Sequence, residues 1–204
     1  VLFRSGMGGS SSKKKQDALK KKELQELVSR THFSQEEIKS LHEHFKNISS
    51  AVESDGVIDK TEFSMALGLK DSIFVDRIFT LFDENDDKVI NFREFLCGLS
   101  VFCKKGTLEE KLRFSFNVYD VDGDGNISRN ELHMMLKASL FENHMDLSED
   151  QMVALVDATF AEADLNGDGL ISYDEYRVMV DKHPNIISNM TLSNSIIDRP
   201  PQSK

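Results

Sequence analysis

The sequence predicts an all-α protein in which four helix–loop–helix units pair into two lobes. A phenylalanine on an apolar helical face recurs four times, at Phe45, Phe79, Phe116 and Phe160. Fifteen or seventeen residues later comes a glutamate beside a large apolar residue, at Glu62, Glu94, Glu131 and Glu175. Repeated spacing of this kind is typical of one supersecondary unit used several times. The repeat therefore fixes the predicted fold class.

Local signals place the elements inside each unit. A β-branched isoleucine lies between each phenylalanine and its glutamate, at Ile58, Ile90, Ile127 and Ile171. We expect short antiparallel links between the paired loops, 57–59 with 89–91 and 126–128 with 170–172. Helix starts are indicated by Ser/Thr-x-x-Glu/Gln capping boxes, which join Ser34 to Glu37, Thr107 to Glu110 and Ser148 to Gln151.

Composition divides the chain into five parts. The net charge is −10 overall, but residues 1–23 carry +5, so the acidic remainder argues against a nucleic-acid partner. Two cysteines in apolar surroundings favour a reduced, intracellular protein. We expect an expression-vector remnant, a basic arm, an N-terminal lobe, a C-terminal lobe and a tail, at 1–6, 7–32, 33–103, 107–183 and 184–204.

The third and fourth loops match the calcium-binding EF-hand pattern in full. Calcium takes six to eight oxygen ligands, which such a loop supplies from positions 1, 3, 5, 7 and 12, with glycine at position 6 for the sharp turn. Position 7 contributes its backbone carbonyl. The predicted ligands are Asp120, Asp122, Asp124, Asn126 and Glu131 in the third loop, and Asp164, Asn166, Asp168, Leu170 and Glu175 in the fourth.

The second loop keeps every ligand position but has Lys88 where glycine is expected. A residue other than glycine in left-handed geometry costs about 1 kcal/mol, and the lysine charge adds repulsion. We therefore expect weaker binding here than in the third and fourth loops. The predicted ligands are Asp83, Asn85, Asp87, Val89 and Glu94.

The first loop departs most from the pattern. Counted back twelve residues from the glutamate it begins at Ala51, whereas the helix register starts it at Ser49 and makes it 14 residues long. Either backbone carbonyls replace the missing side-chain ligands, or the loop pairs with its neighbour without metal. Four acidic residues could contribute oxygens here, namely Glu53, Asp55, Asp59 and Glu62.

The basic arm carries a lipidation signal. Met7-Gly8 followed by Ser12 fits the myristoylation pattern, with Gly8 as the acceptor once Met7 is removed. Lysines at 13–15 and 20–22 would supply the second, polybasic membrane signal. A solubilising lysine-rich arm is the alternative. We expect a cytoplasmic protein that associates peripherally with a membrane.

The chain resembles the calcineurin B and calcineurin B-like family of calcium sensors. The resemblance covers residues 33–192 and rests on the four-unit layout, the 14-residue first loop and the segments 111–120 and 183–192. The first loop and the second segment favour the calcineurin B-like branch. The phosphorylatable Phe-Pro-Ser-Phe ending of the plant proteins of that branch is missing.

Three functions follow from the loops and the resemblance. The first is a calcium sensor that regulates a Ser/Thr protein kinase by holding an amphipathic helix in an apolar groove. The second is the regulatory B subunit of a calcineurin-type phosphatase, which would hold a helix of the catalytic subunit. The third is a calcium buffer. Catalysis is not expected, because the chain has no nucleophile–base motif and no phosphate-cradling glycine loop.

Overall fold

The computed structural model describes residues 19–52, 55–67, 73–142 and 144–188, which form ten helices and a two-stranded antiparallel sheet. In chain order the elements are α1 (Lys21–Arg30), α2 (Gln35–Ile48), α3 (Lys60–Leu67), α4 (Ile73–Phe82), α5 (Phe92–Phe102), α6 (Leu108–Tyr119), β1 (Asn126–Ser128), α7 (Arg129–Glu142), α8 (Glu149–Ala163), β2 (Leu170–Ser172), α9 (Tyr173–Lys182) and α10 (Asn185–Ser188).

The four predicted helix–loop–helix units are α2–α3, α4–α5, α6–α7 and α8–α9, and they pair in the expected way. In the C-terminal lobe, β1 and β2 are antiparallel with Ile127 opposite Ile171. In the N-terminal lobe, Ile58 and Ile90 form an antiparallel bridge in which each backbone N–H donates to the other residue's carbonyl, at 2.9 and 2.8 Å. The predicted all-α fold with paired loops is confirmed.

The repeat phenylalanines form the centres of two cores. Phe45 and Phe79 lie in the N-terminal core with Ile58 and Ile90. Phe116 and Phe160 lie in the C-terminal core with Ile127 and Ile171. Each core is built from both units of its lobe, so neither unit of a pair could bury its apolar face alone.

Helix starts follow the predicted capping boxes. The boxes at Ser34, Thr107 and Ser148 are all formed, with the side chain accepting from the third helical N–H and the Glu or Gln accepting from the cap's own N–H. Each loop contains a further box of the same kind, at Asp59 with Glu62, Asn91 with Glu94, Ser128 with Glu131 and Ser172 with Glu175.

The second half of the predicted basic arm is helical, although the predicted boundary between the arm and the N-terminal lobe lies at residue 33. Helix α1 buries Leu24 and Leu27 in a third apolar cluster with Leu41, Leu96 and Cys103. Leucines three residues apart lie on one face of a helix, so the lysines around them can remain exposed. Residues 21–30 are therefore part of the N-terminal lobe, not a separate arm.

The start of the tail also belongs to a lobe. Helix α10 places Ile187 in the C-terminal core, where it is 5% exposed. The two lobes are in contact as well, because Phe114 of α6 packs its ring against the rings of Phe82 and Phe102, with centroids 6.3 and 4.8 Å away. Among the described residues no helix combines the length and apolarity needed to cross a membrane.

Candidate calcium sites and an apolar groove

All four loops leave their first helix in the same register. The backbone N–H of the first loop residue donates to the carbonyl of the repeat phenylalanine four residues earlier, at 2.9 to 3.0 Å. These first residues are Ser49, Asp83, Asp120 and Asp164. The repeat phenylalanine thus sets where each loop begins, and the loop's first side chain starts from an equivalent place each time.

A tight turn then brings position 6 back onto position 1. The N–H of Gly125 donates to Asp120 Oδ2 at 3.1 Å, and the N–H of Gly169 donates to Asp164 Oδ2 at 3.0 Å. Both glycines have positive φ, 90° and 84°, a conformation that glycine adopts without a Cβ penalty. One oxygen of each first aspartate is therefore held by the turn.

The glutamate at position 12 closes the third and fourth loops. Glu131 Oε1 accepts from the backbone N–H groups of Val121 and Asp122 at 2.9 and 3.1 Å, and its Oε2 accepts from the Ser128 N–H at 2.8 Å. Glu175 makes the equivalent bonds in the fourth loop. Burial raises the pKa of Glu131, but the hydrogen bonds from Ser128 and from the loop amides outweigh it and lower the pKa, so the group is a carboxylate at neutral pH.

The third loop has the donor set that calcium requires. One carboxylate oxygen from each of Asp120, Asp122 and Asp124 lies within 4.8 Å of the others. Asp120 Oδ1 is buried and has no hydrogen-bond partner. Burial and the nearby Glu131 and Asp124 carboxylates raise the pKa of Asp120, which a bound cation would reverse. These residues, with Glu131 and the Asn126 carbonyl, fit a hard divalent cation.

The second and fourth loops share a different first half. Asn85 and Asn166 occupy position 3, where the third loop has Asp122. In both loops the amide oxygen accepts from the N–H of the aspartate at position 5, and the amide nitrogen donates to the same aspartate's carboxylate. Because affinity in such loops rises with ligand charge, we expect the third loop to bind calcium most tightly.

The second loop adopts the regular turn in spite of Lys88. The Lys88 N–H donates to Asp83 Oδ2 at 2.9 Å, as the glycines do in the other loops, and Lys88 has a φ of 70°. Asp86 at position 4 also has positive φ, 60°, where the third and fourth loops have Gly123 and Gly167. The sequence pattern predicts the strain at Lys88, whereas the strain at Asp86 becomes evident only in the structure.

Replacing Lys88 by glycine is expected to tighten calcium binding at the second loop about fivefold, since about 1 kcal/mol of backbone strain is relieved. The measurement is a calorimetric calcium titration in a chain whose Glu131 and Glu175 are both glutamine. Lys88→Ala is the matched control, because it removes the charge and keeps the strained Cβ. Equal tightening in both variants would assign the effect to charge and contradict the strain argument.

The first loop is 14 residues long from its cap to its glutamate. Helix α2 ends at Ile48, and Ser49 caps it. The second half of the loop is regular, because Asp55 Oδ1 accepts from the Val57 N–H at 3.1 Å and Gly56 has a φ of 84°. Glu62 accepts from the N–H groups of Val52 and Asp59, both at 3.2 Å.

The first half of this loop lacks the usual acidic start. Ser49 is 3% exposed, and its hydroxyl donates to the Lys46 carbonyl at 3.4 Å. Glu53 lies outside the described residues. Metal binding by Asp55, Asp59 and Glu62 therefore remains a prediction.

An apolar groove opens in the C-terminal lobe. It is a cavity of about 390 Å³ between α7, α8 and α9, with lining residues that include Leu132, Leu136, Leu155, Met179 and Ile186. Tyr119 and Tyr176 also line it, and burial raises the pKa of both phenols, so they stay neutral. Glu162 and His183 form a hydrogen-bonded pair at its edge, with Nε2 and Oε1 2.8 Å apart. The groove can accept an apolar helix face.

Comparison with known proteins identifies the units. A family model described as an EF-hand domain pair matches residues 109–180, and a second model with the same description matches residues 54–101. The chain is thus an EF-hand protein with two pairs of hands, and it binds calcium.

The relatives of the chain show to which family of EF-hand proteins it belongs. It is 41% identical to the calcineurin B subunit of Naegleria gruberi, over 86% of this chain and 96% of that protein. The calcineurin B subunit of Schizosaccharomyces pombe is 38% identical, over 84% and 95%. The type 2 calcineurin B subunit of Bos taurus is 38% identical, over 74% and 85%. The chain belongs to the calcineurin B family, and it is a non-catalytic regulatory protein.

These relatives do not support the expectation of a calcineurin B-like branch member. The 14-residue first loop and the segment 183–192, on which that expectation rested, occur in a chain whose relatives of high identity are named as calcineurin B subunits. Gly8, the predicted myristoylation acceptor, lies outside the described residues, as do the first half of the basic arm (7–18) and the tail beyond Ser188.

Proposed function

We propose that this chain is the regulatory B subunit of a calcineurin-type Ser/Thr protein phosphatase. The observation that carries the proposal is the apolar groove of the C-terminal lobe, in a chain up to 41% identical to proteins named as calcineurin B subunits. In this function the groove holds an amphipathic helix of the catalytic subunit. Regulation of a protein kinase was the first expectation from the sequence, and the relatives favour the phosphatase instead.

The charge of the chain supports a helical partner of particular composition. Beyond residue 23 the chain carries −15, and Glu162 lies at the edge of the groove. A partner helix with apolar residues at helical spacing and basic residues flanking that apolar face would bury the first set in the groove and place the second against the acidic residues at its edge.

The test is a calorimetric binding measurement with two synthetic helices, one from a calcineurin catalytic subunit and one from a kinase regulatory domain. We expect the phosphatase helix to bind in calcium and the kinase helix to bind at least about tenfold more weakly. Leu155→Asp, on the groove wall and 38% exposed, should weaken binding about tenfold or more.

Leu108→Asp is the control for this experiment, because Leu108 is 59% exposed and does not line the groove. Tighter binding of the kinase helix would overturn the proposal in favour of the first expectation. Calcium binding with no affinity for either helix would favour a calcium buffer.

The proposed location is the cytoplasm, with peripheral attachment to a membrane through an acyl chain on Gly8 and the lysines that follow it. One acyl chain binds membranes only marginally, and a basic segment adds the second contribution. A chain that begins at Met7 should incorporate a myristate analogue in cells, and Gly8→Ala should abolish the labelling. Absence of label on the unsubstituted chain would refute this part of the proposal.

A further inference from the structure

One arginine of the N-terminal lobe contacts the start of the third calcium loop. Arg77 lies on α4, six residues before Asp83, where the second loop begins. Its Nε and Nη2 donate to the carbonyl of Asn117 at 2.9 and 2.7 Å, and its Nη2 also donates to the carbonyl of Asp120. One guanidinium therefore connects the helix that enters the second loop with the first residue of the third.

These carbonyls are at the C-terminal end of α6. The last carbonyls of a helix have no donor within the helix, and the end of the helix carries partial negative charge. A guanidinium is suited to this end because its planar fork can donate to two acceptors at once. Here the cap comes from the other lobe, so holding the end of α6 requires that the lobes remain together.

The guanidinium also lies within the electrostatic field of the third loop. Burial lowers the pKa of Arg77, while the carboxylates of Asp120, Glu131 and Asp122 act in the opposite direction. Arg77 is partly buried, so these interactions are screened less than those between surface charges. A shift of the Asp120 carbonyl would therefore change the hydrogen bonding of Arg77. A change in the charge of the loop carboxylates would change the electrostatic potential at its guanidinium.

We propose that Arg77 couples the second and third EF-hands across the boundary between the lobes. Ordering of the third loop fixes the Asp120 carbonyl, the carbonyl fixes the guanidinium, and the guanidinium restrains α4. Arg77 is in this sense a positioning residue for both loops. The coupling needs no partner protein, so it goes beyond the proposed phosphatase function and can fail independently of it.

The experiment measures α4 while calcium binds only in the other lobe. Glu62→Gln and Glu94→Gln together remove the closing carboxylates of the first two loops and keep their capping boxes. Amide hydrogen exchange is then followed for residues 77–82, without and with calcium. In this parent we expect calcium to slow exchange about fivefold, the lower end of typical coupling between sites.

Two variants of Arg77 separate the fork from the charge. Arg77→Lys keeps the charge and loses the planar fork, and Arg77→Gln loses both. Each is expected to reduce the calcium-dependent slowing to less than about twofold, because coupling through the fork would be lost. Arg30→Gln, which removes the charge of an exposed side chain on α1, should leave the slowing as in the parent.

Slowing that persists in Arg77→Lys would overturn the role of the fork, and slowing that persists in Arg77→Gln would overturn the coupling through this residue. Absence of slowing in the parent would overturn it as well. If Arg77→Gln does not fold, the lysine variant alone decides, because it retains the charge and most of the length of the side chain.

Discussion

Replacing Glu131 by glutamine is expected to lower the calcium affinity of the third loop roughly 100-fold, because the charge count and the bidentate glutamate set the affinity of such loops. Glutamine is the informative substitution here. A capping box accepts Glu or Gln at its third helical position, so α7 should still begin at Arg129 while the ligand loses its charge. Calorimetric calcium titration gives the affinity, and circular dichroism checks the helix content.

Glu36→Gln serves as the control, since Glu36 is exposed in the first turn of α2 and lies outside every loop. It removes the same charge and should leave the titration unchanged. An unchanged affinity in Glu131→Gln, with the third loop still filling first, would mean that Glu131 is not a calcium ligand. A loss of helix content would show instead that the glutamate's structural role dominates.

Replacing Phe116 by alanine is expected to lower the free energy of unfolding of the calcium-free protein by about 3–5 kcal/mol, the usual cost of such a truncation in a core. Phe116 is 1% exposed, and its ring makes edge contacts with Tyr173 and Tyr176 at centroid distances of 5.4 and 5.6 Å. Its carbonyl also accepts the N–H of Asp120, so the cavity would form directly beneath the start of the third loop.

Urea denaturation followed by circular dichroism measures this loss. Phe141→Ala is the matched control, because Phe141 lies on the neighbouring helix α7 and is 53% exposed. A surface substitution of this kind changes stability by about 0.5 kcal/mol or less. Equal losses in the two variants would contradict the assignment of Phe116 to the core of the C-terminal lobe.

What could be predicted from the sequence is whatever repeats locally. The phenylalanine–glutamate spacing predicts the four units, and the isoleucines predict the pairing of the loops, down to Ile127 opposite Ile171. Both signals lie within one unit, and the recurrence of the same spacing in four units strengthens the prediction for each of them. The capping boxes are equally local, because four consecutive residues contain the whole signal.

What could not be predicted depends on residues distant in the chain. In the sequence, helix α1 is a basic segment. The structure shows that Leu24 and Leu27 are buried, because they pack against Leu96 and Cys103. The contact of Arg77 with Asn117 spans forty residues and two lobes. The groove is likewise a product of packing, since its lining residues come from five helices and both strands. In the sequence alone, the same apolar residues are equally consistent with a closed core.

The capping boxes inside the loops have a consequence for how such a protein can evolve. The glutamate that closes a loop also accepts the N–H that starts the next helix, so selection for the fold alone would retain it. Glu62 is 2% exposed and accepts from the N–H of Asp59 in a loop whose first half lacks an acidic start. An EF-hand can therefore lose calcium binding in evolution and still keep the helix that follows the loop. The presence of this glutamate alone does not show that a loop binds calcium.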